Sequence, residues 1–304
     1  MMDHRLQTHR DFLPDQMELA RLEIQAAHIR NQQHGRTGER LPNQSHSHFL
    51  GRGLDLEKVR AYSPGDDIRA MDWRVTARTG KPHVKVYREE RQRVMALLVQ
   101  TSGSMLFGSS GTTKLAQAAR MAALLAFTVQ RRRERVSVLL PGDLGGVEIP
   151  PCSPRDAMWR MLDFLAAGDR EAGHSLLWER RLASMPGGRT VVIISDFIGW
   201  DDENWQGLRY AAMRHRVSAI QVYDPRECTM PDMGLARMSA PDGSSSFLIN
   251  TGHRRAREKF AACWESHRRQ LFSRFSLARV PYWAVSTIED PSASLGHMAG
   301  LFVH

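Results

Sequence analysis

The sequence predicts an α/β protein: a doubly wound, mainly parallel sheet preceded by a β-containing module and a helical segment. Three observations carry this expectation. Short apolar runs, at residues 94–99 and 190–195 above all, read as strands buried on both faces, the pattern of a parallel sheet covered by helices. Longer stretches with apolar residues three and four positions apart separate these runs. The alternation of the two patterns is regular, which implies successive right-handed crossovers in one sheet.

In chain order, residues 11–30 read as an amphipathic helix with Met17, Leu19, Leu22, Ile24 and Ile29 among charges. Residues 31–48 turn polar and read as a loop or connection. His46 and His48 lie there, but a metal site needs three or four ligands and no third is near in sequence, so a solvated loop is the preferred reading. Residues 49–91 form a distinct block with turn chemistry at Ser63-Pro64-Gly65-Asp66 and strand-like alternation at 83–87. The main domain is expected over 92–304. After the strand at 94–99 comes a helix from near Lys114, with Ala118, Met121, Ala122, Leu125 and Val129 on one face. A strand at 136–140 follows, closed by Pro141, then a helix started by Pro154 and Asp156, and another after Ser175. The strand at 190–195 ends on Asp196; a helix with an acidic, capped start covers 201–215, and a further strand at 217–223 runs into Asp224 and Pro225. A hairpin insertion is expected at 233–250, then a long Arg-rich helix over 254–277, a last strand at 282–287 and a short helical tail.

The chain of 304 residues is 42% hydrophobic and 25% charged, ordinary values for a globular protein, but its formal charge is +9. Arginine runs at 131–133, 254–255 and 268–269 would favour acidic partners. A solvated helix face is the preferred reading of such runs, and no aromatic residues interleave them into a base-stacking platform, which disfavours nucleic acid. Three dispersed cysteines, Cys152, Cys228 and Cys263, argue against a disulfide framework or a structural zinc and fit a reducing cytoplasm. The N-terminus lacks the apolar core of a signal peptide, and no run reaches the roughly 18 apolar residues of a membrane span. A cytoplasmic protein is expected.

In open α/β sheets ligands bind beyond the carboxyl ends of the strands. There Gln100, Ser102 and Ser104 are spaced two apart, small oxygen-bearing side chains of the kind that hold Mg²⁺. The competing reading makes Ser102 and Ser104 loop hydrogen-bonders and the cap of the following helix. The Gly/Ser/Thr run from Gly108 to Lys114 lacks the Gly-Lys-Ser/Thr ending of a phosphate loop, and no Gly-x-Ser-x-Gly elbow is present. In the 49–91 block Asp66, Asp67 and Asp72 lie among Arg60, Arg69, Arg74 and Arg78. That set suits a bidentate network pinning the block to the sheet, with a partner surface as the second reading. Catalytic carboxylates rank last, because nearby guanidiniums lower the pKa values that acid–base work needs raised.

Gln100-x-Ser102-x-Ser104 with the distant strand-end Asp196, together with the strand order, resembles a von Willebrand factor A domain. Its metal-ion-dependent adhesion site consists of Asp-x-Ser-x-Ser, a Thr from a second loop and an Asp from a third. More specifically, the chain resembles the bacterial domain-of-unknown-function family fifty-eight, whose hallmark is Arg-x-Tyr-x-x-Gly-Asp-Asp-x-Arg-x-x-Asp-Trp. Arg60, Tyr62, Gly65, Asp66, Asp67, Arg69, Asp72 and Trp73 all match, followed by Ala77-Arg78 and later by Asp224-Pro225-Arg226-Glu227. The resemblance spans about residues 48–290. It implies a non-enzymatic adaptor or co-chaperone that works with a MoxR-type AAA+ ATPase on a client protein. It also implies a degenerate metal site of Gln100, Ser102, Ser104, Asp196 and a hydroxyl of the second loop. In that loop either His174 or Ser175 fits, and Ser175 is preferred. Gln100 stands where the motif has Asp, a change expected to weaken Mg²⁺ by about ten- to a hundredfold if that group acts on the ion indirectly. Two further function classes stay open. One is a metal-dependent hydrolase using Asp196 and a bound water, which lacks the usual ligand cluster. The other is an anion or nucleic-acid binder using the Arg254–Arg269 face.

Overall fold

The computed structural model describes residues 11–36, 54–89, 93–130, 134–141, 147–167, 178–239 and 246–298. Residues 39–92 form one compact unit, and 1–38 together with 93–304 form another.

The larger unit is built on six strands: β3 (Val94–Val99), β4 (Arg135–Leu140), β5 (Val147–Cys152), β6 (Thr190–Ser195), β7 (Arg216–Tyr223) and β10 (Tyr282–Ser286). Their order is β10-β7-β6-β3-β4-β5, parallel throughout except for β5, which runs antiparallel to β4 at one edge. Counted within this sheet alone the order is 3-2-1-4-5-6, that of a doubly wound sheet, and the winding reverses between β3 and β6. In sheets of this kind ligands bind beyond the carboxyl ends of the strands that flank such a switch point.

Alternate side chains explain why the strands read as unbroken apolar runs. Met95, Leu97 and Val99 point to one face, Ala96 and Leu98 to the other, and all are buried. The first face is covered by α1 (Gln16–Arg36), α3 (Lys114–Val129), α4 (Pro154–Ala167) and α9 (Pro291–His297). The second carries α5 (Trp178–Ser184), α6 (Asp202–Arg214) and α8 (Arg254–Leu277). Helix α3 is buried all round rather than along a single stripe, because α1 packs on its outer side; only Arg120 among residues 115–129 escapes full burial. Arg120 instead ties the layers, donating from Nε to Glu18 Oε1 at 2.6 Å and from Nη2 to the Phe12 carbonyl at 3.0 Å.

The structure corrects several expectations. Helix α1 starts later and runs further than residues 11–30, so the polar stretch is helical to Arg36. Its buried face is Leu19, Leu22, Ala26 and Ile29, while Met17 and Ile24 are exposed. The edge strand β5 is not among the strands expected from the sequence, and it carries Pro150 and Pro151. Proline is tolerated at a sheet edge, where an amide can go without a ladder partner. The expected hairpin comprises β8 (Leu235–Ser239) and β9 (Ser246–Asn250), paired antiparallel. Among the described residues no helix is long and apolar enough to cross a membrane.

In the smaller unit, β1 (Leu54–Ala61) pairs antiparallel with β2 (His83–Glu89) around a 3₁₀ turn (Ile68–Ala70) and α2 (Trp73–Thr79). Gly80 closes α2 in the left-handed conformation at φ 67°, the role glycine fills without a Cβ penalty.

Candidate functional site

Hydrogen bonding at the end of β3 fans its residues toward both neighbouring strands. Thr101 turns toward β4, donating from its amide at 2.8 Å and its hydroxyl at 3.1 Å to the Pro141 carbonyl. The Gln100 amide nitrogen donates to the Ile194 carbonyl of β6 at 3.0 Å. The side chain of Gln100 uses both ends. Its Oε1 accepts from Trp200 Nε1 at 3.0 Å and from the Ser195 hydroxyl, and its Nε2 donates to Ser102 Oγ at 3.3 Å. Ser102 and Ser104 hydroxyls share a hydrogen bond at 3.0 Å. A carboxylate at position 100 could not donate to Ser102, so the amide has a role of its own here. Trp200 is fixed in turn by rings of Phe197, Trp205 and Trp178 with centroids 4.9, 5.1 and 5.3 Å away.

Asp196 follows directly on β6, and both oxygens of its carboxylate are engaged elsewhere than at the two serines. Oδ1 accepts from the Ile198 amide at 3.0 Å, and Oδ2 accepts from Lys114 Nζ at 2.8 Å. Lys114, the first residue of α3, is fully buried and also donates to Glu227 Oε1 at 2.5 Å. Glu227 sits in α7 (Pro225–Cys228), where its Oε2 accepts from the Asp224 amide at 2.9 Å as half of a capping box. Burial pushes the Glu227 carboxyl above its ordinary range, against the opposing pull of Lys114.

Asp224, at the end of β7 and fully buried, completes the arrangement. Oδ1 accepts from Ser109 Oγ at 2.5 Å and the Arg226 amide at 2.9 Å. Oδ2 accepts from the Ser109 amide and Thr287 Oγ1, both at 2.9 Å. Burial alone would raise this carboxyl, but the Ser109, Arg226 and Thr287 donors outweigh it and hold it below the usual aspartate range. The loops after β3, β6, β7 and β10 are thus wired through two buried centres, Lys114 and Asp224. His267 of α8 also lies against Asp196; burial lowers its pKa despite that carboxylate.

Of the expected metal set, Gln100, Ser102 and Ser104 come together and Asp196 is adjacent through Ser195, but its carboxylate is committed to Lys114. Ser175 and His174 lie outside the described residues. Among the described residues no group of three or more His, Cys, Asp and Glu is placed to hold a metal ion. Mg²⁺ takes about six oxygen ligands, several of them water, and here it would compete for Gln100 and Asp196 oxygens that already accept hydrogen bonds. Lys114 and Glu227 were not assigned to the site from sequence. The readable signals were a lysine opening an otherwise apolar helix and the Asp-x-x-Glu spacing of a capping box.

The expected Arg/Asp network of the smaller unit is mostly replaced by local caps. Arg60 and Asp66 do form a bidentate pair, at 2.8 and 2.6 Å, and Asp66 also accepts from the Ser63 amide at 2.8 Å. Asp67, however, caps the 3₁₀ turn through the Arg69 amide at 2.9 Å. Asp72 caps α2 through the Arg74 and Val75 amides at 3.1 and 3.2 Å. Arg69, Arg74 and Arg78 have no carboxylate partner among the described residues. Short aspartates bond to the backbone two and three residues on more readily than they reach distant guanidiniums. Gly65 adopts φ 106° in the turn that brings Asp66 back to Arg60, Tyr62 donates its amide to the Pro82 carbonyl at 2.9 Å, and Trp73 is 67% exposed.

Two solved bacterial structures align with the chain at low identity. One is described as the conserved hypothetical protein BatB from Bacteroides thetaiotaomicron (15% identical, TM-score 0.42, covering 69% of this chain and 98% of that one). The other is an aerotolerance-related membrane protein from Bacteroides fragilis (17% identical, TM-score 0.42, 68% and 96% covered). Among curated relatives, the Mycobacterium tuberculosis protein Rv1480 and the Mycobacterium bovis protein Mb1516, both described as uncharacterized, are 32% identical over 252 residues, 79% of this chain and 77% of theirs. The family described as "Protein of unknown function DUF58" matches residues 58–270, from the Arg60–Trp73 segment through the β3–β7 core to most of α8, and the chain belongs to that family.

Proposed function

We propose that this protein is a non-enzymatic interaction module, an adaptor or co-chaperone that engages a MoxR-type AAA+ ATPase and a client in the cytoplasm. The engaging surface is the carboxyl edge of the central sheet. The observation that carries this reading is a set of large apolar side chains exposed on the loops following three parallel strands: Phe107 after β3 (45%), Ile198 after β6 (41%) and Ile288 after β10 (62%). Parallel strands bring these loops to one edge, and the Lys114 and Asp224 centres fix them from beneath. Exposed apolar groups on a rigid polar support suit protein recognition, because little ordering entropy is lost on binding. The resemblance to ATPase-associated proteins favours the partner class. A hydrolase reading is less well supported, since both Asp196 oxygens already accept hydrogen bonds and the carboxylate is paired with Lys114. The test is affinity purification of the tagged chain with and without ATP, followed by mass spectrometry. An AAA+ ATPase recovered in a nucleotide-dependent manner is the expected result, and its absence under both conditions overturns the proposal.

A further inference from the structure

We infer that Lys114 supplies, from inside the fold, the positive charge that a bound metal ion would supply at an adhesion-type strand-end site, so that this site works without a divalent cation.

The argument begins with the cost of placing a lysine here. Lys114 is fully buried, and it opens α3, where the helix dipole disfavours a cation. Its fifteen successors in the helix are otherwise almost all Ala, Leu, Met, Phe, Val or Thr, so nothing in the local pattern asks for a charge. A buried ammonium carries a desolvation penalty of several kcal/mol unless charged partners with good geometry offset it. Two such partners are present: Asp196 Oδ2 at 2.8 Å and Glu227 Oε1 at 2.5 Å. They come from different places, the end of β6 and the turn beyond β7, so the ammonium bridges neighbouring strand ends as a metal ion would.

The remaining oxygens of the site are engaged by other donors of the fold. Asp196 Oδ1 accepts from the Ile198 amide, Gln100 Oε1 from Trp200 and Ser195, and Glu227 Oε2 from the Asp224 amide. The Ser102 and Ser104 hydroxyls bond to each other. A hexacoordinate cation bound to Asp196 would compete with these donors for the same oxygens and stand beside an ammonium, a like-charge contact in a low-dielectric setting.

The inference depends on reading this edge as an adhesion-type site, but its test uses the isolated chain and no partner. Failure to recover an ATPase therefore leaves it untouched, and its own failure leaves the partner proposal standing. The test is titration with Mn²⁺, followed by the electron paramagnetic resonance signal of the free ion, and thermal unfolding in Mg²⁺ and in EDTA. The wild-type chain is expected to show no saturable site below about 1 mM, the weak end of protein-bound divalent affinities, and the same Tm in either buffer. Lys114→Met leaves two carboxylates facing a vacated position. It is expected to bind Mn²⁺ at least about tenfold more tightly than wild type and to gain Tm on adding it. A saturable wild-type site from which Mg²⁺ displaces Mn²⁺ overturns the inference, as does a folded Lys114→Met chain that responds to Mn²⁺ no more than wild type. If Lys114→Met does not fold, Lys114→Met combined with Glu227→Gln, which removes a carboxylate along with the ammonium, is expected to recover folded protein. Equal loss of both variants means that Lys114 is not acting as a counter-charge, and the inference falls.

Discussion

Replacing Asp224 with Asn tests whether the strand-end loops are held by a buried carboxylate. Asp224 accepts four hydrogen bonds, two on each oxygen. Asn keeps one oxygen, which can serve Ser109 Oγ and the Arg226 amide. Its NH₂ then faces the Ser109 amide, a donor against a donor, while the Thr287 hydroxyl can rotate to accept. One buried N–H left unpaired costs about 1–3 kcal/mol, and loss of charge assistance from the remaining bonds adds about 1 kcal/mol. The expected destabilisation is thus about 2–4 kcal/mol, a large share of the roughly 5–15 kcal/mol that holds a domain folded. Urea unfolding at neutral pH should show a lower midpoint with an unchanged slope. The effect should also depend on pH. The folded state holds the Asp224 carboxyl below the ordinary range, so the unfolded chain binds its proton first on acidification. The stability Asp224 contributes is full above the ordinary aspartate value and is lost as pH falls through the depressed folded value. The gap between wild type and variant should therefore shrink in acid. A cost below about 0.5 kcal/mol at neutral pH, the range of unremarkable surface changes, refutes the reasoning, as does a gap that widens on acidification.

Three other outcomes follow from the same geometry. Gly108→Ala would place a Cβ 1.9 Å from the Thr112 carbonyl oxygen; backbone must move, and a loss of about 1–3 kcal/mol or more by chemical denaturation is expected. Asp201→Ala removes the capping box in which Asp201 Oδ1 accepts from the Asn204 amide at 2.9 Å, for about 1 kcal/mol in thermal unfolding. Changing Phe107, Ile198 and Ile288 together to Ser should leave stability within about 0.5 kcal/mol per site while abolishing ATPase recovery in affinity purification. Undiminished recovery would move the binding surface elsewhere.

Strands buried on both faces announce themselves as apolar runs, which is why β3, β6 and β7 were legible to within a residue and α8 coincided with the expected 254–277. What escaped was governed by neighbours in space. Strand β5 draws its pairing from β4 alone, and its prolines disguise it. Asp67 and Asp72 looked like ion-pair partners because charge is visible in sequence, whereas the helix ends that claim them are not visible until the turn is formed. The site divided along the same line. Gln100, Ser102 and Ser104 are close in sequence and were found together. Lys114, Asp196 and Glu227 meet only across the sheet, over sequence separations of 82 and 113 residues, and only the topology at the β3/β6 switch point joins them.

The division into units also bears on how the protein can be cut. The chain leaves the larger unit after residue 38 and re-enters it at 93, so the Arg60–Trp73 segment belongs to an insertion tethered at both ends. Trimming from the N-terminus until that segment is gone would strip α1 as well and bare the outer side of α3 where Leu19, Leu22, Ala26 and Ile29 pack. Excising 39–92 and rejoining the flanks with a flexible spacer avoids this, because loop-closure entropy rises only slowly with spacer length. An internal deletion of that kind, rather than a terminal truncation, is the appropriate way to ask what the signature segment does.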